Sequence, residues 1–586
     1  MNPITKGLMK KFIEQHELES LKNDGDKFEH FTAFSILAPK RLANNSYKDG
    51  LTTRGEEGID FVGILVNGNI ITTPDEVCNE ASTSKELDVE YIFIQAKISE
   101  KFEGDKIIRF TNTVRNFFDE DTNIGSSDTI AAARAVHKEV LKYASQFRTN
   151  PTFNAYYVTT GKVPEDNNTN GQSKYLKELE KNLRDKSLFS SINASFMGAD
   201  EINAAYRSAT TAVTSTIEFA QKVTLPEIDG IEQAYLGFLP ITELLKLIRN
   251  DTDDSLRTHI FDDNVRDYQG DNTLANRGMK RTLLSKNSRQ FAVMNNGITI
   301  VVRDLRVTGD QLTLTDFQIV NGAQTSNVIF RNRNQLQDSD IRVPVKLIQS
   351  NDENLITDVI LATNSQTQVS ATQLNARAKA ERNIEKYFAH GDIAGDLHYE
   401  RRKGQYDSNA DIVKARVIDR SALVRSTASA FGNEPHTATG YQQDILKRLD
   451  SSRETDKRRY LQDNDEPIIY YAAASAYYKL DLYLKTGRID PSYKPARWHL
   501  LHIARRIALK DEYPDFSNSK IRGNLRDFVN LLWDDDRCEK LFSEAVTVLD
   551  CSDVILNRES LRGFSATQTI DHAINRYKVQ QSRSHA

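Results

Sequence analysis

Three cysteines in 586 residues, Cys78, Cys538 and Cys551, are too few and too scattered for a disulfide framework or a zinc module. No CxxC pair occurs, and no histidine stands near a cysteine at metal-binding spacing. Long apolar runs are also missing. No stretch of 18 apolar residues is present, and the start, MNPITKGLMKKFIEQHELES, lacks a continuous apolar core of the signal-peptide kind, so a cytoplasmic protein without a membrane partner is expected. Charge of one sign is scarce too: the net charge is only -5, so any nucleic-acid surface must be local. Low-complexity tracts and internal repeats are absent. What remains is an ordinary ordered composition, 39% hydrophobic and 27% charged, in a chain too long for one core.

The pattern along the chain predicts three regions. Residues 1–225 read as an α/β sandwich. Helices are expected over 5–22 and 27–38, then a hairpin in IDFVGILVNGNIITT turning at Asn67-Gly68. After a polar excursion the pattern gives a strand over 89–98, a helix near 129–147, the strand FNAYYVTTG, a helix near 173–186 and a strand in NASFMGADEI. Residues 226–410 mix strands with Asn-rich turns, an α+β pattern, and residues 411–586 are mainly helical. In the last region KPARWHLLHIARRIALK reads as an amphipathic helix whose basic face is solvated, or follows a phosphate backbone.

Within YIFIQAKIS, residues 91–99, strand alternation puts Gln95 and Lys97 on one face. Asp60 sits at the mouth of the earlier hairpin, and Glu29 lies on the helix before it. Hydrolysing a phosphodiester at neutral pH calls for a hard cation on oxygen ligands and a group that positions water. Asp60, Gln95 and Glu29 can supply the ligands, and Lys97 can orient the water. The order helix Glu, hairpin Asp, then QxK in a strand resembles the PD-(D/E)xK nuclease superfamily in its Mrr-like QxK variant. The resemblance implies a restriction-endonuclease-like domain using Mg²⁺ or Mn²⁺. The plain alternative is a polar edge strand.

Further on, NVRDYQG, NNGITI, IVNGAQTSN and TNSQT, followed by YERRKGQYD, resemble in order and spacing the AIPR family, named for abortive infection and phage resistance. That resemblance implies bacterial defence, with the family domain over about 235–410 behind a nuclease. Candidate ligand or nucleic-acid contacts there are Arg266, Asn295, Asn296, Asn321, Gln324, Thr325, Asn364, Gln366, Arg401 and Arg402. The turn at Asn321-Gly322 opens a helix whose free NH groups could hold an anion; turn chemistry alone also accounts for Asn and Gly there. The expectation is a Mg²⁺-dependent DNA endonuclease, with RNA the lesser candidate, self-assembling and answering a phage-derived or nucleotide trigger. The rival is a non-catalytic nucleic-acid or nucleotide sensor with a degenerate nuclease domain.

Overall fold

In the computed structural model, Asn2 caps helix α1, Pro3–His16, accepting from the Ile4 N–H at 2.7 Å, and Glu17 ends it in the left-handed conformation at φ 52°. That turn stops the helix short of the expected residue 22. The structure describes residues 1–38, 47–52, 58–84, 86–119, 128–164, 171–210, 213–250, 256–261, 274–336, 340–364, 371–401, 405–406, 409, 411–440, 445, 449, 459–509 and 515–584.

Helix α2, Asp24–Leu37, precedes strand β1, Phe61–Val66, and β2, Asn69–Ile71. Asn67 and Gly68 take φ values of 52° and 79°, as a tight hairpin turn demands. The excursion that follows contains α3, Pro74–Thr83. Its start is written in the sequence as Thr73-Pro74-Asp75-Glu76, a capping box with proline in the first turn. Then come β3, Val89–Lys97, and α4, Gly104–Phe117, a helix the sequence pattern did not single out. The series closes with α5, Asp128–Lys142; β4, Thr152–Thr159; α6, Ser173–Asp185; β5, Ser191–Met197; and α7, Ala199–Thr210. The final strand thus stops before Gly198, and Ala199 already belongs to a helix.

The sheet order is β2-β1-β3-β4-β5, antiparallel as far as β3 and parallel from there. Helices cover both faces because alternate residues of β3 feed two cores. Tyr91 and Phe93 pack with Phe110, Val114 and Leu179 on one side. Ile92, Ile94 and Ala96 pack with Phe28, Phe31 and Phe12 on the other. The mixed α/β reading of this region holds.

The chain divides into two compact units, one of Met1–Ala209, Lys379–Arg401 and Asn409–Ala586, the other of Thr210–Ala378 and Arg402–Ser408. In the second, six strands run β6, Thr214–Glu218; β7, Lys222–Thr224; β8, Gln233–Pro240; β9, Ile298–Thr308; β10, Gln311–Asn321; and β11, Arg342–Gln349. They are ordered β6-β10-β9-β11-β8-β7. In the first unit the C-terminal region is helical. Its helix Pro467–Thr486 is buried nearly all round. Among the described residues no helix is long and apolar enough to cross a membrane.

The basic segment at 494–510 departs from expectation. Helix Arg497–Ala508 buries Trp498, His499, His502, Arg505 and Arg506 and presents no solvated basic stripe. Two of its arginines meet carboxylates from elsewhere in the chain: Asp571 lies 2.7 Å from Arg506 Nη1 and also 2.8 Å from His502 Nε2, and Asp49 lies 3.1 Å from Arg497.

Candidate active site

Asp60 stands just before β1, next to the pair Phe61–Ile94 that opens the β1–β3 ladder, and its N–H donates to the Ile94 carbonyl at 2.9 Å. Continuing the ladder puts Asp60 across from Gln95 on the same face. The carboxylate is 1% exposed, and β3 surrounds one of its oxygens. Oδ2 accepts the Ala96 N–H at 2.8 Å, takes a hydrogen bond from Gln95 Nε2, and lies 3.6 Å from Lys97 Nζ. The other oxygen, Oδ1, is buried without a hydrogen-bond partner. Buried polar atoms in folded proteins are nearly always paired, so this is an acceptor suited to an external partner.

Glu29 lies on the helix that packs over Ile92 and Ile94 on the other side of the sheet, near enough to feel the charges of Asp60 and Lys97. Burial pushes its carboxyl up to about 8, with the charges of Asp60 and Asp26 adding and Lys97 opposing. Burial likewise raises Asp60 to about 6, against the pull of Lys97 and the Ala96 N–H. Two carboxyls therefore share one lysine in a dry place, and local positive charge is short. Two further carboxylates at the start of β3 have their own partners: Glu90 accepts from Asn154 at 2.7 Å, and Asp88 faces Arg148 at 3.6 Å.

Asp60 and Glu29 are the residues here that could hold a divalent cation. Among the described residues no three His, Cys, Asp or Glu side chains gather as a metal site. A cation here would rest on Asp60 Oδ1, Glu29 once deprotonated, and neutral oxygens with water, a donor set that magnesium accepts. Gln95 sits differently from a ligand carboxylate, since its amide nitrogen serves Asp60. One residue that sequence reasoning missed is Tyr157, which faces Gln95 across the β3–β4 pairing. Its hydroxyl is buried without a partner, and burial raises its pKa, with Glu103, Asp105 and Asp60 adding. Strand parity between QAK and NAYYV would have aligned it, but only with the register known.

In the second unit, IVNGAQTSN ends β10 and opens α11, Ala323–Arg331, at Gly322 with φ 105°. A Cβ at Gly322 would lie 2.8 Å from Ile298 Cγ1 and 3.1 Å from the Gly297 carbonyl oxygen, so only glycine fits. Several polar side chains around it hold one another, while the Ser326 hydroxyl is buried without a partner. Asn295 donates to Thr325 Oγ1 at 2.9 Å and accepts the Gly297 N–H at 2.8 Å. Gln324 accepts from Asn276 at 3.0 Å, and Asn321 donates to the Thr363 carbonyl at 2.6 Å. Asn296 is exposed. Arg401 is buried and donates to Glu385 at 2.9 Å, inside the first unit. Arg266, Gln366 and Arg402, with the side chain of Asn364 at the end of helix Glu353–Asn364, lie outside the described residues.

Residues 261–521 match the model of a family described as AIPR protein. The matched stretch runs from the second unit into the C-terminal helices of the first, well beyond residue 410. No curated protein and no solved structure matches the chain.

Proposed function

We propose that this chain, whose residues 261–521 match the AIPR family, is an anti-phage defence protein that hydrolyses DNA at the site around Asp60. The family match is consistent with abortive-infection defence. The observation that carries the nuclease reading is the divided carboxylate of Asp60, with Oδ2 held by two donors and an ion pair from β3 and Oδ1 buried and unpartnered.

Asp60 Oδ1 and Glu29 would hold Mg²⁺ or Mn²⁺, with water completing the set. When bound, such an ion lowers the pKa of water and neutralises charge growing on phosphate oxygens. Gln95 and the Ala96 N–H fix the Asp60 carboxylate, so Oδ1 stays turned outward. Lys97 keeps its side chain partly exposed, at 28%, while anchored 3.6 Å from Asp60, which suits it to orient water and meet a phosphate oxygen. Burial raises the Glu29 carboxyl to about 8, so Glu29 would have to release its proton to serve as a ligand.

The test is purified protein with supercoiled plasmid, linear duplex and single-stranded RNA, each with Mg²⁺ or Mn²⁺. DNA cleavage that vanishes in Lys97→Ala supports the reading; equal cleavage by the wild type and Lys97→Ala sinks the site. The sensor alternative predicts instead that Asp60→Ala keeps phage protection and Asn321→Ala removes it. The mutual bonding of Asn295, Thr325, Gln324 and Asn276 counts against that alternative, because those groups already serve one another.

A further inference from the structure

Between the site and the C-terminal helices lies a short piece of chain, Tyr47–Thr52, that touches the supports of both carboxyls. At its C-terminal end the Thr52 N–H donates to the Asp60 carbonyl at 3.0 Å, and Thr52 Oγ1 donates to the Ile59 carbonyl at 2.7 Å. Gly50 lies flush on β1: a Cβ there would run into the Phe61 ring and come 2.6 Å from the Val62 carbonyl oxygen. At its N-terminal end Tyr47 is buried against α2, its hydroxyl 3.3 Å from Nδ1 of His30, the residue after Glu29.

Cations of the C-terminal region hold the middle of the piece. Arg497 donates to Asp49 Oδ1 at 3.1 Å, and Lys494 donates to the Lys48 carbonyl at 2.9 Å while lying 3.7 Å from Asp49. Lys48 in turn lies 3.6 Å from Asp481 on helix Pro467–Thr486. These charges are partly buried, so breaking the Asp49 pair leaves Arg497 and Lys494 without that carboxylate partner. One segment thus ties the backbone of Asp60, the helix of Glu29 and a cationic anchor about 450 residues further on in sequence.

We propose that Asp49 is a positioning residue for the Asp60–Glu29 pair, and that through Arg497 and Lys494 the C-terminal helices set whether the site is correctly aligned. The C-terminal region is then the control element of the nuclease, so a signal that shifts helix Arg497–Ala508 reaches the carboxyls through six residues. The cleavage arm of this inference rests on the nuclease reading above; its structural arm does not.

The experiment compares wild type with Arg497→Gln, Asp49→Asn, the swap Asp49→Arg with Arg497→Asp, and Arg416→Gln. The last breaks another pair joining the first helix to the C-terminal region, Arg416 with Glu17 at 2.8 Å, without touching Tyr47–Thr52. Hydrogen exchange over residues 47–62 is read for every variant without any substrate. Arg497→Gln and Asp49→Asn are expected to speed exchange of the Thr52 and Asp60 amides at least tenfold, Arg416→Gln to leave them unchanged, and the swap to restore them in part. With Mg²⁺ and DNA, the first two are expected to lower kcat at least tenfold with KM within twofold. Unchanged exchange in Arg497→Gln, or an equal rise in Arg416→Gln, overturns the inference. Absence of cleavage by the wild type overturns the nuclease reading alone, and the exchange result still decides this one. Should Arg497→Gln fail to fold, Arg497→Lys carries the comparison, with slowed exchange relative to Asp49→Asn expected.

Discussion

The site at Asp60 and the Asn-rich cluster at Gly322 are both polar groups at strand ends, yet the first leaves a carboxylate oxygen beside a second buried carboxyl while most amides of the second hold one another. At Asp60 an oxygen is buried without a partner, and two carboxyls are pushed toward neutrality by burial. Around Gly322 Asn295, Thr325, Gln324, Asn276 and Asn321 make hydrogen bonds at ordinary distances, while the Ser326 hydroxyl is buried without a partner. Unsatisfied polarity inside a fold costs stability and is kept where a ligand or a reaction completes it, whereas satisfied polarity supports the backbone. On the proposed reading the first is a place for chemistry and the second mainly a support for shape, although both look equally suggestive as strings of letters.

The largest expected effect tests the first half of that contrast. Asp60→Asn removes the charge that faces the unpartnered side, and Lys97→Ala removes the ammonium beside it. Each is expected to cut DNA cleavage by on the order of 10²–10³-fold or more, the scale seen when one preorganised electrostatic group is lost. Thr325→Val, in the other region, should leave the rate within a few-fold. A plasmid-nicking time course checks all three.

Next in size is a gain in stability. Glu29 titrates at about 8 in the folded protein against 4.5 ordinarily, so between those values the folded state holds a proton that the unfolded chain gives up. Stability contributed by that proton is full below about pH 4.5 and is lost as pH rises through about 8. Glu29→Gln escapes that loss. It should equal wild type in stability at pH 4 and exceed it by roughly 2–4 kcal/mol near pH 8, partial exposure trimming the full value. Urea denaturation across that range reads the difference, and millimolar Mg²⁺ should narrow it by favouring the ionised wild-type carboxyl. A constant gap at every pH would show that Glu29 owes nothing to ionisation.

In the second region Gly322→Ala should move stability the other way, by about 2 kcal/mol downward, because φ is positive there and the new methyl meets Ile298. Cleavage by whatever fraction remains folded should be unaltered.

Several of these features are legible in the amino-acid sequence alone. Asn67-Gly68 announces its hairpin because few other pairs accept two positive φ values, and QAK declares its own face because strand parity is strict. Helix α3 is written in Thr73-Pro74-Asp75-Glu76 but reads as polar filler, since a cap and a loop use the same residues. The divided state of Asp60 is not legible, because it depends on which residue of β3 stands opposite. Nor is the burial of helix Arg497–Ala508: its basic face looks solvated until Asp49 and Asp571 arrive from distant parts of the chain to pair it. Charge pairing across hundreds of residues leaves no local trace in the sequence.

The smallest effect sharpens the comparison most, because it divides two neighbours. Asn295 is half-buried and makes two hydrogen bonds that pin the start of β9 to α11, whereas Asn296 beside it is exposed. Asn295→Ala should cost about 1–2 kcal/mol, the loss of a donor and an acceptor that both work inside the fold. Asn296→Ala should change stability by less than about 0.5 kcal/mol, as surface substitutions do. Phage protection measured beside urea midpoints then tells shape from recognition. If the cluster is a scaffold, protection falls only in step with stability, so Asn296→Ala protects fully. Full stability with lost protection in Asn296→Ala would mean that the exposed asparagine reads something, and the second region would have to be counted as a binding surface after all.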